Sequence, residues 1–439
     1  MRFYDRQIEL SQLHRLQEST GTASRLTVIT GRRRIGKTRL IREFCGRFES
    51  LYFFVSRKSE ELLCEEYWGY INETLRLSAY GKITKLIDLF RLLFDYSVNK
   101  SLIVVIDEFQ ELQQVNPAFY SEFQHLWDSK KDDTHLHLII SGSAYSLMQK
   151  IFTDYRQPLF GRADLLINLK AFPITTLKEI LEDSQAFSAD NLLANYMLTG
   201  GVPRYLEIVQ AAGAHTRENL IDHVFSEYSV FADEGKNLLI EEFGRDYSTY
   251  FTILELIATG KTSRMMIESI LETSVGGYLE RLENVHSLIT QFRSFHSKKG
   301  SRSAKYKIND PFLSFWFAYF HRYRSAVEAS NPGYVKERFK ADYQQFAGQS
   351  LERLYREIFK QSGLYNLVGS YWESGFQNEI DLVAINEPKK LMILAEIKLN
   401  KKNIRKEKLK AKSAQLCKLY PDFKIEYRYL GLEDLADYV

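Results

Sequence analysis

Thr27-Val28-Ile29-Thr30-Gly31-Arg32-Arg33-Arg34-Ile35-Gly36-Lys37-Thr38 decides how this chain is read. The β-branched run predicts a buried strand. The two glycines predict a loop where the backbone must come closer to a ligand than a Cβ allows. Leu40-Ile41-Arg42-Glu43-Phe44 then predicts an amphipathic helix. Gly-x-x-x-x-Gly-Lys-Thr is the spacing of the phosphate-binding P-loop. Its wrapped N–H groups and the helix N-terminus aim positive dipole at an anion. In that reading residues Gly31, Arg32, Arg33, Arg34, Ile35 and Gly36 enclose the phosphates. Lys37 reaches the β- and γ-phosphates, and the Thr38 hydroxyl holds Mg²⁺.

A P-loop needs an acid on a neighbouring strand. Leu102-Ile103-Val104-Val105-Ile106-Asp107-Glu108 supplies an aliphatic strand ending in two carboxylates. Asp107 is expected in the metal shell and Glu108 as the group that orients the attacking water. Ile140-Ser141-Gly142-Ser143 ends a further strand, so Ser141 or Ser143 can sense the γ-phosphate. Arg162 and Arg204 follow breaker residues and are candidate arginine fingers or surface ion-pair partners. Apolar runs at residues 26–30, 51–55, 102–106, 136–140 and 165–169, separated by helical patterns such as 60–77 and 117–128, predict an α/β fold with a parallel sheet covered on both faces.

The 439 residues suit two to four domains. With 45% hydrophobic and 26% charged residues the chain can build several cores, and its formal net charge of +3 excludes any argument for a nucleic-acid partner from bulk charge. Cys45, Cys64 and Cys417 have no zinc-ligand spacing. The start, Met1-Arg2-Phe3-Tyr4-Asp5-Arg6, has no apolar signal core, and no apolar run is long enough to span a bilayer. The expectation is a cytoplasmic protein with no membrane partner.

The expected domains are a P-loop core at 1–172, a helical lid at 173–235, a winged helix with an aromatic helix at 236–330, and a small α/β domain at 331–439. Thr199-Gly200-Gly201-Val202-Pro203 breaks the lid helices. In the third segment Thr262 and Ser274 are expected helix caps, and strands at 288–295 and 305–308 flank the basic turn Lys298-Lys299-Gly300-Ser301-Arg302. Phe312, Phe315, Trp316, Phe317, Tyr319 and Phe320 read as a core helix. Asn331-Pro332-Gly333 reads as a turn, and residues 350–361 as an amphipathic helix.

Phe3-x-Asp5-Arg6-x-x-Glu9-Leu10, the triple-arginine P-loop, Ile106-Asp107-Glu108-Phe109-Gln110, Ser141-Gly142-Ser143, Gly200-Gly201-Val202-Pro203-Arg204-Tyr205 and Asp310-Pro311-Phe312 together resemble the archaeal-type ATPase family, a branch of the AAA+-like P-loop ATPases close to the STAND class. The resemblance runs almost end to end. It implies ATP rather than GTP, and it implies that Asp5 and Arg6 sit near the adenine.

In the tail, strands at 378–385 and 391–399 carry Asp381, Glu396 and Lys398. Residues two apart on a strand share a face, so Glu396 and Lys398 point the same way and a hairpin can bring Asp381 beside them. Two carboxylates make a Mg²⁺ seat, and the lysine can position water. Glu352 can add a third carboxylate. This pattern resembles the PD-(D/E)XK nuclease superfamily, with Ile380 in the proline position. The resemblance implies catalytic roles for Asp381, Glu396 and Lys398. The run Lys401, Lys402, Arg405, Lys406, Lys408, Lys410, Lys412 reads either as a solvated helix face or as a phosphate-backbone contact. The leading expectation is an ATPase, with a homo-oligomer left open, coupled to DNA or another nucleic acid through the winged helix and basic tail. The alternatives are a non-catalytic ATP-dependent scaffold and a DNA-stimulated translocase.

Overall fold

The computed structural model describes residues 2–77, 81–243, 247–295, 304–373 and 377–439. The described chain divides into two compact units, Arg2–Ala171 and Phe172–Val439.

In the first unit the apolar runs become five strands: β1 (Arg25–Thr30), β2 (Ser50–Phe54), β3 (Leu102–Asp107), β4 (Leu136–Gly142) and β5 (Leu165–Asn168). They form a parallel sheet in the order β2-β3-β4-β1-β5. Successive side chains alternate between its faces. Leu102, Val104 and Ile106 join one buried cluster, whereas Ile103 and Val105 join the other. Two covered faces are why these strands are apolar throughout rather than alternating. Leu40, Ile41 and Phe44 place one stripe of the helix Lys37–Cys45 on the second face, each side chain contributing roughly 1.5–3 kcal/mol by burial. The chain passes from β4 over β1 to β5, so the crevice beyond the carboxyl ends of these strands is where an open α/β sheet takes its ligand.

The second unit begins with the helices Ile174–Asp183, Ala189–Thr199, Pro203–Ala211 and Arg217–Val224. Gly200 and Gly201, with φ of 62° and 70°, end the second of these. The helices Tyr247–Ala258, Arg264–Leu271 and Gly276–Glu280 precede an antiparallel hairpin of β6 (Ile289–Phe292) and β7 (Lys305–Ile308). Ser263, not Thr262, caps the middle helix, accepting from the Met266 N–H. Ser274 caps nothing; its hydroxyl lies by Glu268 and Arg264. The basic turn Lys298–Arg302 lies outside the described residues. The aromatic stretch is core: Phe312, Phe315, Trp316, Phe317, Tyr319 and Phe320 are all buried.

Asn331-Pro332-Gly333 is not a turn. It opens a 30-residue helix, Pro332–Gln361, with Asn331 accepting from the Tyr334 N–H and Pro332 in the first turn. Proline fits there because the first helical N–H groups have no partner within the helix. This helix packs on a four-stranded mixed sheet of β8 (Leu367–Tyr371), β9 (Ile380–Asn386), β10 (Leu391–Ile397) and β11 (Lys424–Leu430), in the order β11-β10-β9-β8. Only the β10–β11 pair is parallel. The crossover between those two strands carries the helix Lys406–Lys418, which takes up most of the basic run.

Candidate functional site

At the end of β1 the loop is shaped by its glycines. Gly31 has φ 151°, and a Cβ there would lie 2.7 Å from the Leu169 carbonyl oxygen. Gly36 has φ 93° and opens the helix Lys37–Cys45. Arg34, at φ 71°, also takes the left-handed region that non-glycine residues avoid. The result is a tight backbone cradle with a helix N-terminus at its base, which fits a phosphate group. Lys37 is 8% exposed, and its ammonium donates to the carbonyls of Gly31 at 2.7 Å and Arg32 at 3.2 Å. Burial lowers its pKa, against the opposing charges of Glu108 and Asp107. Arg33 and Arg34 are exposed, and Arg32 is half-buried.

Asp107 ends β3, next to β4, which lies beside β1. One of its oxygens accepts from Thr38 Oγ1 at 3.4 Å and from the Tyr52 hydroxyl. The other accepts from the Glu108 N–H at 3.0 Å. Thr38 and Asp107 are thus together, a hydroxyl and a carboxylate of the kind Mg²⁺ takes beside nucleotide phosphates. Glu108 sits at φ 55°, and its Oε2 accepts from Ser143 Oγ at 2.8 Å, the Ser143 N–H at 3.3 Å and Gln110. Ser143 therefore reaches the carboxylate, whereas Ser141 is fully buried on β4 and its hydroxyl has no hydrogen-bond partner among the described residues.

Arg6 is 5% exposed and donates to the carbonyl of Lys170 at 2.6 Å and, at 3.5 Å, to that of Ile35 inside the loop. Its guanidinium is 3.7 Å from Asp5 and 3.5 Å from Glu9. The Asp5-Arg6 segment thus lies against the loop. Arg162 is held at the surface by both oxygens of Asp128, at 3.0 and 2.7 Å. Arg204, in the second unit, is half-exposed and paired with Glu207 at 2.6 Å. Sequence reasoning missed Tyr52, whose signal was a hydroxyl set among Leu51, Phe53 and Phe54 in β2.

In the second unit, Glu352, Asp381, Glu396 and Lys398 line one cleft of about 1000 Å³. The β9–β10 register sets Asp381 opposite Glu396, one step beyond the Leu382–Ala395 pair. Asp381 accepts from the Ile397 N–H at 2.8 Å and from the Lys398 ammonium at 3.3 Å. That ammonium is also 3.7 Å from Glu396, and Lys412 donates to both Glu396 oxygens, at 3.1 and 3.0 Å. Lys412 is the member of the basic run that enters the cleft. Glu352 pairs with Arg356 at 3.7 Å. Burial, and then the Asp381 charge, push the Glu352 pKa up to about 8; burial also raises that of Asp381. Among the described residues no group of three or more His, Cys, Asp and Glu side chains is drawn together as metal ligands. Lysine ammonium groups sit against Asp381 and Glu396 instead.

Residues 3–209 match an ATPase domain found predominantly in Archaea, and residues 316–412 match a family of archaeal and bacterial proteins of unknown function. The uncharacterized protein MJECL04 of Methanocaldococcus jannaschii is 29% identical over 448 residues, covering 99% of this chain and 94% of its own. MJ0424 of the same organism is 40% identical over 70 residues, which is 16% of this chain and 68% of that protein. Among solved structures, the Walker-type ATPase PABY2304 of Pyrococcus abyssi shares the fold with a TM-score of 0.53 at 22% identity, covering 72% of this chain and 96% of its own. Among the described residues no helix is long and apolar enough to cross a membrane. With its P-loop, its paired Thr38 and Asp107 and these matches, the chain belongs to the archaeal-type P-loop ATPase family.

Proposed function

We propose that the chain hydrolyses ATP at the Gly31–Gly36 loop and uses nucleotide state to control a DNA-engaging, nuclease-like C-terminal half. The observation that carries the ATPase part is the convergence of the cradle, Lys37, Thr38 and Asp107 at the ends of neighbouring strands. Lys37 exchanges its loop carbonyls for the β- and γ-phosphate oxygens, and Glu108 orients the water for in-line attack. Thr38 and Asp107 would hold Mg²⁺, which supplies charge neutralisation between those phosphates. Asp5 and Arg6 flank the adenine. Arg162 or Arg204 serves a neighbouring copy if the protein oligomerises. Lys37→Ala is expected to abolish ATP binding. Glu108→Gln is expected to keep binding but lose turnover by about 100-fold or more, measured as phosphate release. Normal turnover in Glu108→Gln would overturn its role.

In this reading residues 173–235 are a lid, 236–330 a winged helix that binds DNA, and 331–439 the nuclease-like domain. Asp381 and Glu396, joined by Glu352, would hold a second Mg²⁺, which would supply Lewis-acid activation of a phosphodiester, and Lys398 would position the water or stabilise developing charge. The test is Mg²⁺- or Mn²⁺-dependent cutting of DNA by the wild type that is lost in Asp381→Ala. One observation favours the non-catalytic scaffold for this half: Lys398 and Lys412 already neutralise Asp381 and Glu396. No cutting by the wild type would put that reading ahead.

A further inference from the structure

The hairpin β6–β7 is bound into the cleft that holds Asp381 and Glu396. Past β6, Ser294 Oγ donates to the Trp372 carbonyl at 2.5 Å and accepts from the Trp372 N–H at 2.8 Å. The Phe295 N–H donates to the Ser370 carbonyl at 3.2 Å, which continues β6 onto the edge strand β8. Gly369 leaves the room that Phe295 uses: a Cβ there would lie 2.7 Å from the ring. On the other strand, Lys305 pairs with Glu379 at 2.9 Å and lies 4.7 Å over the Trp372 ring. The long helix closes the third side, where Arg353 donates to the carbonyls of Ile308, at 2.9 Å, and Asn309. Anchored on both strands, this hairpin forms a wall of the carboxylate cleft.

That wall is cationic. Arg293 and Lys307 from the hairpin line the cleft together with Arg353, Arg356 and Lys360 from the long helix. Arg353 and Arg356 are fixed by backbone carbonyls, Arg356 donating to that of Asp381 at 2.8 Å. Among the described residues the Lys307 ammonium has no ion-pair or hydrogen-bond partner; it lies 5.8 Å over the Phe292 ring. Burial and then the charges of Arg353, Arg356 and Lys360, only partly offset by Glu357, push its pKa down to about 7. An ammonium held among like charges is costly unless an anion shares the space. The space is far larger than one phosphate needs, and it runs from these cations to the carboxylates.

We propose that Lys307, with Arg293 and Lys360, is a phosphate seat for a nucleic-acid strand, which it holds against the carboxylate pair. The strands β6 and β7 are then part of the C-terminal site. The ligand class rests on the nuclease-like reading above, but the seat is tested without cleavage.

The experiment is fluorescence anisotropy of a labelled single-stranded oligonucleotide with the full chain in EDTA, across a salt series. The variants are Lys307→Gln, Lys307→Gln/Lys360→Gln and the rescue variant Lys307→Arg, with ATP turnover as a check on folding. The double variant is expected to weaken binding about tenfold or more and to reduce the salt slope by about 1–2, while Lys307→Arg binds as the wild type does. Wild-type affinity and slope in the double variant would overturn the seat, as would displacement of the strand by equimolar inorganic phosphate or AMP, which would make the cleft a small-anion site. Metal-dependent cutting is assayed separately in Mg²⁺. Strand binding through Lys307 without cutting refutes the nuclease and leaves the seat standing; cutting with no effect of Lys307 refutes the seat alone.

Discussion

Gly31→Ala bears most directly on how the loop is built. At φ 151° an alanine sits in a region that L-residues rarely adopt, and its Cβ would lie 2.7 Å from the Leu169 carbonyl oxygen and 3.1 Å from Ile35 Cγ2. Leu169 cannot simply retreat, because its N–H donates to the Thr30 carbonyl at 2.8 Å. The unfavourable backbone costs about 1–3 kcal/mol, and loosening that hydrogen bond adds about 1 kcal/mol, giving about 2–4 kcal/mol in total. For a unit of this size, that lowers Tm by on the order of 10 °C. If the loop instead gives way, its N–H groups lose their aim and ATP affinity falls by about tenfold or more. Circular dichroism melting and ATP titration read the two outcomes together. Gly46→Ala is the control: its φ is −58° and the nearest atom to a new Cβ is the Arg42 carbonyl oxygen at 3.5 Å, so no loss is expected. Wild-type Tm and ATP affinity in Gly31→Ala would refute the reasoning.

Ser143→Ala removes the 2.8 Å hydrogen bond that fixes Glu108 Oε2; turnover is expected to fall about tenfold with ATP affinity unchanged, and unchanged turnover would show that Ser143 does not position Glu108. His137 is buried between Thr27 Oγ1 at 2.9 Å and Gln17 Oε1 at 2.8 Å, and burial pushes its pKa down to about 3 from 6.5. The unfolded chain binds a proton there that the folded chain refuses, so stability is intact above pH 6.5 and is lost as the pH falls toward 3. Urea unfolding should show wild type losing about 2 kcal/mol more than His137→Gln between pH 7 and 5, and parallel losses would refute this.

The β1–loop–helix unit was legible because its demands are local: a strand buried on both faces, glycines where φ is positive, and a lysine and hydroxyl opening a helix. Asp107 was legible for the same reason, as the polar end of an apolar strand. What depends on partners distant in sequence was not. Arg6 is held by the Lys170 carbonyl, and the Tyr52 hydroxyl finds Asp107 only once β2 pairs with β3. Asn331-Pro332-Gly333 was misread because the same residues favour turns and helix starts. β8 and β11 escaped notice because as edge strands they are only partly buried and show no clear period. In the C-terminal half the meeting of Asp381, Glu396 and Lys398 followed from strand period and a hairpin. That Lys412 closes on Glu396 did not, since a charge run does not say which member turns inward.

The most direct test of the central claim is a crystal structure with Mg²⁺ and a non-hydrolysable ATP analogue. The account predicts the triphosphate inside the Gly31–Gly36 loop, with the Lys37 ammonium moved from the Gly31 and Arg32 carbonyls onto phosphate oxygens and the metal between Thr38 and Asp107. A nucleotide bound elsewhere, with Lys37 still on those carbonyls, would contradict it.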